Sequence, residues 1–395
     1  MPQTLTVWGN LVGMKIALVR KECSLRRGGA ERYCAQLARE LMALDHSVTV
    51  IGESIDADLQ DEIDFVQVDV NNTTSWTKNR SFAENAGRAV ATGDFDVSLG
   101  LSRAAGLDVY RLTDRLQAHW LRVRYPGRLR RFWESRLNPR HRAILELERA
   151  LFAADGPKRI ITESRLDAGL LTQHYGVSPE RIRTIYNGVD RQVFHVDVRQ
   201  NRNAVRGSLG LSRDCPLIVY ASMDFRGKPL ATVMMAMVAA RNQQPRLLVV
   251  GAGPVQHYAE LSVTLGLGDR VKFAGRRDDI ERFYGAGDIF VLPTAYEPFG
   301  LVHLEALACG LPVITTATAG GAEVIEPGRN GYVISDAWAM QELAARLDEY
   351  FELSAQQRAA MSAHAAGSVL AFTPQRNARE TAEVLAEVCR ERGRS

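Results

Sequence analysis

The sequence predicts an α/β protein built from two parallel-sheet domains, and three observations carry that expectation. The chain has 395 residues, 46% of them hydrophobic and 24% charged, which is enough for two domains that each bury a full core. Short apolar runs alternate from end to end with longer stretches of helical periodicity, the pattern of strand-helix-strand units whose strands are covered on both faces. Glycines follow those runs closely, where the loops at strand carboxyl ends bind ligands in such sheets.

Taken in order, the first half offers KIALV (15–19), VTVI (48–51), FVQVDV (65–70), DVSLGL (96–101), RIITE (159–163) and IRTIYNGV (182–189) as strands. Met14 opens a better strand than Met1 does, so residues 1–13 read as an upstream start or a disordered arm and receive no role. The second half offers PLIVYAS (216–222), RLLVVGAG (246–253), VKFAG (271–275), DIFVLPT (288–294), PVITT (312–316) and GYVI (331–334). Between the two sets, residues 190–214 are polar and weakly periodic, with SLGLSRD closing a short helix; this is the expected linker. It divides a first domain, 1–195, from a second, 196–374. The last helix, 375–392, carries an apolar stripe through Ala382, Leu385 and Val388.

Composition excludes several classes. No run approaches the roughly 18 unbroken apolar residues of a membrane span, and residues 1–13 lack the charged start and apolar centre of a secretion signal. Cys23, Cys34, Cys215, Cys309 and Cys389 are scattered, odd in number and never in a Cys-x-x-Cys pair. That argues against a disulfide framework and a zinc site, and suits a reducing cytoplasm. The net charge of +3 does not imply nucleic acid. Its distribution is uneven, however: residues 111–142 hold ten arginines against Asp114 and Glu134, interleaved with Trp120, Tyr125, Phe132 and Trp133. This composition suits the headgroup layer of an anionic bilayer; the alternative is a helical excursion whose arginines face water or bind acidic acceptor phosphates without lipid.

The informative glycines are Gly28 and Gly29 after KIALV, Gly251 and Gly253 after RLLVV, Gly275 after VKFA, and Gly320 and Gly321 after PVITT. Such loops let backbone N–H groups approach an anion, and the helix start behind each adds partial positive charge. In AYEPFGLVHLEALACGLPVITTATAGGAEVI (295–325), DIFVLPT is a strand and LVHLEALACG a helix, so Phe299, Gly300 and Leu301 lie at a helix N-terminus with unpaired amides. Glu297 precedes that end, and Glu305 projects from the same face one turn deeper. Two such carboxylates suit neighbouring hydroxyls of a sugar or ribose; the plainer reading is a capping Glu297 and a Glu305 on a solvated face. The histidines His119, His174 and His303 lack metal spacing and read as structural or exposed. Asp94-Phe95-Asp96 opens a strand at its amino end and reads as a turn, and GAGP is only a fragment of a dinucleotide fingerprint. Neither a metal nor a nicotinamide cofactor is expected.

EPFGLVHLEALACGLPVI resembles the E-x7-E signature of the retaining glycosyltransferases of family four, which have the GT-B fold. Matching elements extend over nearly all the chain: RRGGAERY, IYNGVD, DFRGKP, VGAGP and GGAEVIEPGRNGYVI. AGLDVYRLTD, the Arg-rich passage behind it and HYGVSPERIRTIYNGVD are most similar to the heptose-directed glucosyltransferases of lipopolysaccharide core synthesis. The resemblance implies two Rossmann-like domains facing a cleft, with the final segment, 375–395, crossing back to the first. It implies a nucleoside diphosphate sugar as co-substrate, most simply UDP-glucose, and a saccharide or glycolipid acceptor.

The resemblance also implies roles. Glu297 would hold donor-sugar hydroxyls, Glu305 the ribose, and the amides of Phe299, Gly300 and Leu301 the sugar and diphosphate. Lys228, with Arg226 near it, would clamp phosphate, and the loop of Gly28 and Gly29 would close over it. Arg276 or Arg277 would meet the base, and Asp114 the reacting sugar from the acceptor side, unless it is a helix cap or ion-pair partner. Two alternatives share the fold: a nucleoside diphosphate sugar 2-epimerase, and a degenerate relative that binds nucleotide sugar without turning it over.

Overall fold

The computed structural model describes residues 13–25 and 28–393. Residues 1–12, Arg26 and Arg27 of the RRGGAERY motif, and 394–395 of the closing segment lie outside the described residues. The chain forms two compact units. The first comprises Met1–Glu163, Asp167–Ile185 and Pro374–Ser395, and the second Ser164–Leu166 and Tyr186–Thr373. The passage from one to the other at Ile185 and Tyr186 falls ahead of the 195/196 division expected from composition, because Val189 and Phe194 pack into the apolar core of the second unit.

The first unit contains strands β1 (Lys15–Val19), β2 (Glu22–Cys23), β3 (Ser47–Gly52), β4 (Ser54–Ile55), β5 (Asp64–Gln67), β6 (Val97–Gly100), β7 (Val109–Leu112), β8 (Arg159–Thr162) and β9 (Ile182–Thr184). Seven of them form one parallel sheet in the order β5-β3-β1-β6-β7-β8-β9, and β2 and β4 pair separately. The helix Gly29–Met42 packs Leu37, Ala38 and Leu41 into the core. The closing helix Pro374–Arg392 belongs to this unit and buries Ala378, Ala382, Leu385 and Val388, one face of a 3.6-residue period. Tyr33 Oη donates to Asn377 Oδ1 at 2.8 Å, and Arg159 pairs with Glu387 at 2.6 Å, so the helix is also tied down by polar contacts.

Besides the two-residue strands β2 and β4, one strand of the seven-stranded sheet is absent from the sequence reading. Val109–Leu112 is fully buried between β6 and β8, yet Arg111 interrupts its apolar run. The guanidinium of Arg111 lies 4.6 Å from the centre of the Tyr33 ring and donates to the Ile185 carbonyl at 3.0 Å, which makes its burial tolerable. Two other strands are shorter than expected: FVQVDV pairs only through Gln67, and IRTIYNGV only through Thr184.

The second unit contains β10 (Leu217–Ser222), β11 (Arg246–Gly251), β12 (Val271–Gly275), β13 (Ile289–Leu292), β14 (Val313–Thr316) and β15 (Gly331–Ile334), all parallel, in the order β12-β11-β10-β13-β14-β15. Strand addition therefore reverses between β10 and β13. In the first sheet the same reversal occurs between β1 and β6. The loops at the carboxyl ends of these strand pairs mark the two switch points, where open parallel sheets bind ligands. Among the described residues no helix is long and apolar enough to cross a membrane.

Candidate functional site

At the second unit's switch point, the loop leaving β10 is a tight turn. Asp224 accepts from the amides of Arg226 and Gly227 at 3.2 and 2.8 Å, and the Lys228 amide returns to the Asp224 carbonyl at 3.0 Å. The Ala295 amide, beyond β13, donates to the Gly227 carbonyl at 2.9 Å and ties the two loops together. As a result Lys228 Nζ lies 3.0 Å from Glu297 Oε2, their side chains 14% and 19% exposed. These two residues, 69 positions apart in sequence, meet because β10 and β13 are neighbours.

Behind Glu297 the chain turns into the helix Leu301–Ala308. Gly300 caps it at φ +83°, a backbone region that L side chains rarely adopt. The amides of Phe299, Gly300 and Leu301 have no acceptor among the described residues. Three consecutive free donors at a helix N-terminus beside an ammonium group form an anion-binding arrangement. The Gly-Gly pair lies against this turn. The Gly320 amide donates to the Glu297 carbonyl at 2.9 Å and the Gly321 amide to the Phe299 carbonyl at 2.8 Å. A Cβ at Gly320 would meet the Pro298 carbonyl oxygen at 1.9 Å, and one at Gly321 the His303 ring at 2.4 Å. These glycines therefore permit two loops to stack. Sequence reading of a phosphate loop at this position is replaced by a supporting role.

Glu305 is buried, at 5% exposure, and accepts from Tyr284 Oη at 3.1 Å; it is not on a solvated face. Phe299 is fully buried, its ring 6.0 Å from that of Tyr186. Arg226 is exposed. Arg276 is exposed near Asp278, whereas Arg277 forms a two-pronged pair with Asp279 at 2.9 and 3.1 Å and covers the Phe283 ring. Gly251 and Gly253 are accounted for by crowding: a Cβ would strike the Ser222 carbonyl at 1.8 Å and the Phe225 ring at 2.6 Å.

The first unit's switch point has a different character. Asp114 follows β7 and lies 3.2 Å from Arg103 Nη1 and 3.7 Å from Arg20 Nη1, with its side chain 40% exposed. Burial alone would raise its carboxyl, but Arg20, Arg103 and Lys21 outweigh that and hold it below the ordinary carboxylate range. Arg103 also donates to Glu148 at 2.7 Å, and Arg20 to Glu31 at 2.6 Å. Glu148, wholly buried, accepts further from the Gln117 amide and from Tyr175 Oη. Burial, together with Arg103, Lys78 and Arg20, pushes Lys21 down to about 8 despite the opposing effect of Asp114. Gly28 precedes Gly29 at the start of its helix, and its carbonyl accepts from the Arg32 amide at 3.1 Å.

Sequence reasoning singled out Asp114 but missed Arg20, Lys21, Arg103 and Glu148, because they come from three separate segments and no spacing links them. It also set aside His303, which is fully buried against the Gly300 turn. Its signal was its place, with Glu305, in a helix whose other residues are apolar. Among the described residues no group of three or more His, Cys, Asp or Glu side chains could hold a metal ion.

Two family models match. One, described as glycosyl transferases group 1, covers residues 201–367, and the other, glycosyltransferase family 4, covers 27–193. The lipopolysaccharide glucosyltransferase WaaG of Escherichia coli K12 is 26% identical over 321 residues, which is 80% of this chain and 84% of that protein. Other curated relatives, such as the N-acetyl-alpha-D-glucosaminyl L-malate synthase of Bacillus anthracis at 30% identity, are matched over about half their length (51% in that case, 48% of this chain). Among solved structures, WaaG superposes with a TM-score of 0.81 at 24% identity, covering 94% of this chain and 99% of that one. Anabaena HepE in complex with UDP and glucose gives 0.72 at 22% identity over 94% and 99%. The structural likenesses establish a GT-B fold, and, with the two models spanning both units, the chain belongs to the glycosyltransferases of family 4.

Proposed function

We propose that the protein is a hexosyltransferase that takes glucose or a close relative from UDP-sugar and passes it to a saccharide acceptor with retention of anomeric configuration. One observation carries the reading: Lys228, Glu297 and the free amides of Phe299, Gly300 and Leu301 converge at the second sheet's switch point. A diphosphate arriving there competes with Glu297 for Lys228. The ammonium group and the amides then take the phosphate charge, and Glu297 is released to accept from sugar hydroxyls. Glu305, one turn deeper, would receive the ribose. As the bond to the sugar breaks, charge grows on the departing diphosphate, and the same donors stabilise it without reorganising. No side chain is assigned as a covalent nucleophile; a front-face displacement, with a leaving phosphate oxygen taking the acceptor proton, requires none. Asp114, kept ionised by two guanidinium groups, suits an acceptor hydroxyl or the developing positive charge on the sugar.

The UDP-glucose reading is supported by the similarity to Anabaena HepE, solved in complex with UDP-glucose, and to the lipopolysaccharide glucosyltransferase WaaG. The matched models and these relatives are transferases, which favours transfer over 2-epimerisation. The test is a thermal-shift panel of nucleoside diphosphates followed by donor hydrolysis. UDP at a hundredfold excess over Kd should stabilise the protein by about 2.7 kcal/mol. Slow release of free hexose should vanish in Glu297→Ala. Epimerised sugar appearing without acceptor would overturn the transferase reading.

A specific observation also favours a glycolipid acceptor met at an anionic membrane surface, with the enzyme peripheral to it on the cytoplasmic side. The helix Arg128–Leu137 buries none of its residues and exposes Leu129, Phe132, Trp133 and Leu137 among Arg128, Arg130, Arg131 and Arg136. Basic groups near such a surface gain about 1 kcal/mol each, while the aromatic rings occupy the interface. Flotation with anionic but not neutral liposomes is expected, and failure to float at any salt concentration ends this part of the reading.

A further inference from the structure

The imidazole of His303 lies where the turn and the Gly-Gly loop meet. Its Nδ1 is 2.8 Å from the Gly300 carbonyl oxygen and its Nε2 3.0 Å from Thr315 Oγ1. A carbonyl only accepts, so Nδ1 carries the proton; the neutral ring then accepts at Nε2 from the Thr315 hydroxyl, whose one proton is shared with the Leu292 carbonyl oxygen at 3.1 Å. The Gly300 carbonyl already receives the His303 amide at 3.0 Å. The side chain therefore adds a second hydrogen bond from the same residue to the cap of the donor-facing helix. The loops are shaped around this ring: a Cβ on Gly300 would come within 2.8 Å of it, and one on Gly321 within 2.4 Å. Burial, and after it the charge of Lys228, pushes the imidazole down to about 4, so it stays a neutral single donor at ordinary pH. A leucine at this position would fill the space and satisfy the helix, but would leave the Gly300 carbonyl with one partner fewer and the Thr315 hydroxyl with the Leu292 carbonyl, at 3.1 Å, as its remaining acceptor.

We propose that His303 is a positioning residue for donor binding: its Nδ1–H fixes the Gly300 carbonyl, holds that residue at its positive φ, and so keeps the amides of Phe299, Gly300 and Leu301 presented as a set to the diphosphate. This rests on the reading of the second unit as the nucleotide-sugar site. The ring touches neither phosphate nor sugar in this account; it acts through the backbone it holds. His303 thereby joins three separate features, the turn after β13, the Gly-Gly loop after β14 and the hydroxyl of Thr315 within β14, into one rigid support.

The test compares His303→Leu, His303→Asn and Thr315→Val in the full-length chain, reading UDP affinity by calorimetry, and kcat and KM for UDP-glucose hydrolysis. Asn carries an amide N–H where the imidazole has Nδ1–H, whereas Leu keeps bulk without a donor. His303→Leu should weaken UDP binding and lower kcat/KM by roughly tenfold, the scale of one lost hydrogen bond to a preorganised group. His303→Asn should recover most of that loss. Thr315→Val, which leaves Nδ1–H in place but removes the Nε2 partner and the contact to the Leu292 carbonyl, should fall between the two and serves where His303→Leu does not fold. Equal UDP affinity in His303→Leu and the parent, or equal losses in the Leu and Asn variants, overturns the positioning role. A parent protein that binds no nucleoside diphosphate overturns the proposed function itself, and with it this inference.

Discussion

The two switch points occupy the same topological place in their sheets and are built from opposite materials. In the second unit the crevice is lined by backbone donors and one ion pair, Lys228 with Glu297. In the first, it is filled by a side-chain network in which Arg20 and Arg103 bind Glu31, Asp114 and Glu148. Backbone amides at a helix start carry partial charge at no side-chain entropy and wait for an anion. A buried guanidinium cannot wait, since an unpaired charge in that environment is costly, and so it arrives already satisfied. The contrast teaches that topology chooses where a site can be, while the choice of side chain or backbone decides whether the place is open to a ligand or already committed to the fold. Only Asp114 in the first network keeps a substantially exposed carboxylate.

Breaking the committed network should produce the largest effect. Glu148→Ala leaves Arg103 buried without its main partner and should destabilise the first unit by about 3–5 kcal/mol, read as an early transition in denaturant while the second unit's transition stays in place. A single unshifted transition would mean the network contributes little. Next, Lys228→Ala removes the ammonium group from the open site and should lower kcat/KM for UDP-glucose by about 10²–10³, as for loss of one oxyanion donor, with stability nearly unchanged. If stability falls instead while UDP still binds, the Lys228–Glu297 pair is structural.

A smaller and more diagnostic effect concerns pH. Lys21 titrates at about 8 in the folded chain against 10.5 when unperturbed. Between those values the unfolded chain holds the proton and the folded one does not, so this residue makes stability rise with pH across that window. Lys21→Met should flatten that rise in stability measured from pH 8 to 10.5; an unchanged slope assigns the dependence elsewhere. The smallest change expected is on Asp114→Asn. Its guanidinium neighbours outweigh burial, so its stabilising contribution is complete above the ordinary value of 3.8 and lost only as pH falls through its lower folded value. Stability at pH 7 should drop modestly, and acid sensitivity below pH 4 should lessen. Turnover near that of the parent, with folding intact, would remove Asp114 from the chemistry.

Much of this architecture was legible because parallel strands covered on both faces must be apolar throughout, and KIALV, PLIVYAS and DIFVLPT announce themselves that way. VYRL did not, since the pattern has no means of showing that Arg111 is accommodated by the Tyr33 ring and a carbonyl far along the chain. The E-x7-E stretch was legible as a strand, a turn and a helix with free amides. Its meaning for Gly320 and Gly321 was not: the sequence suggested loops open to an anion, and the structure uses them to bring one loop against another. Likewise Arg277 is engaged by Asp279 through a fork that local sequence permitted but did not require.

What the chain determines by itself is therefore its local grammar: which segments are strands, where helices start, and which turn demands a glycine, because these follow from periodicity and from backbone sterics within a few residues. Which distant side chains meet was decided only by folding. Lys228 finds Glu297 because β10 lies beside β13, and His303 finds the Gly300 carbonyl and Thr315 because β14 closes over the same helix. Hydrogen bonds and ion pairs act over about 3 Å, a distance that strand order sets and sequence separation does not.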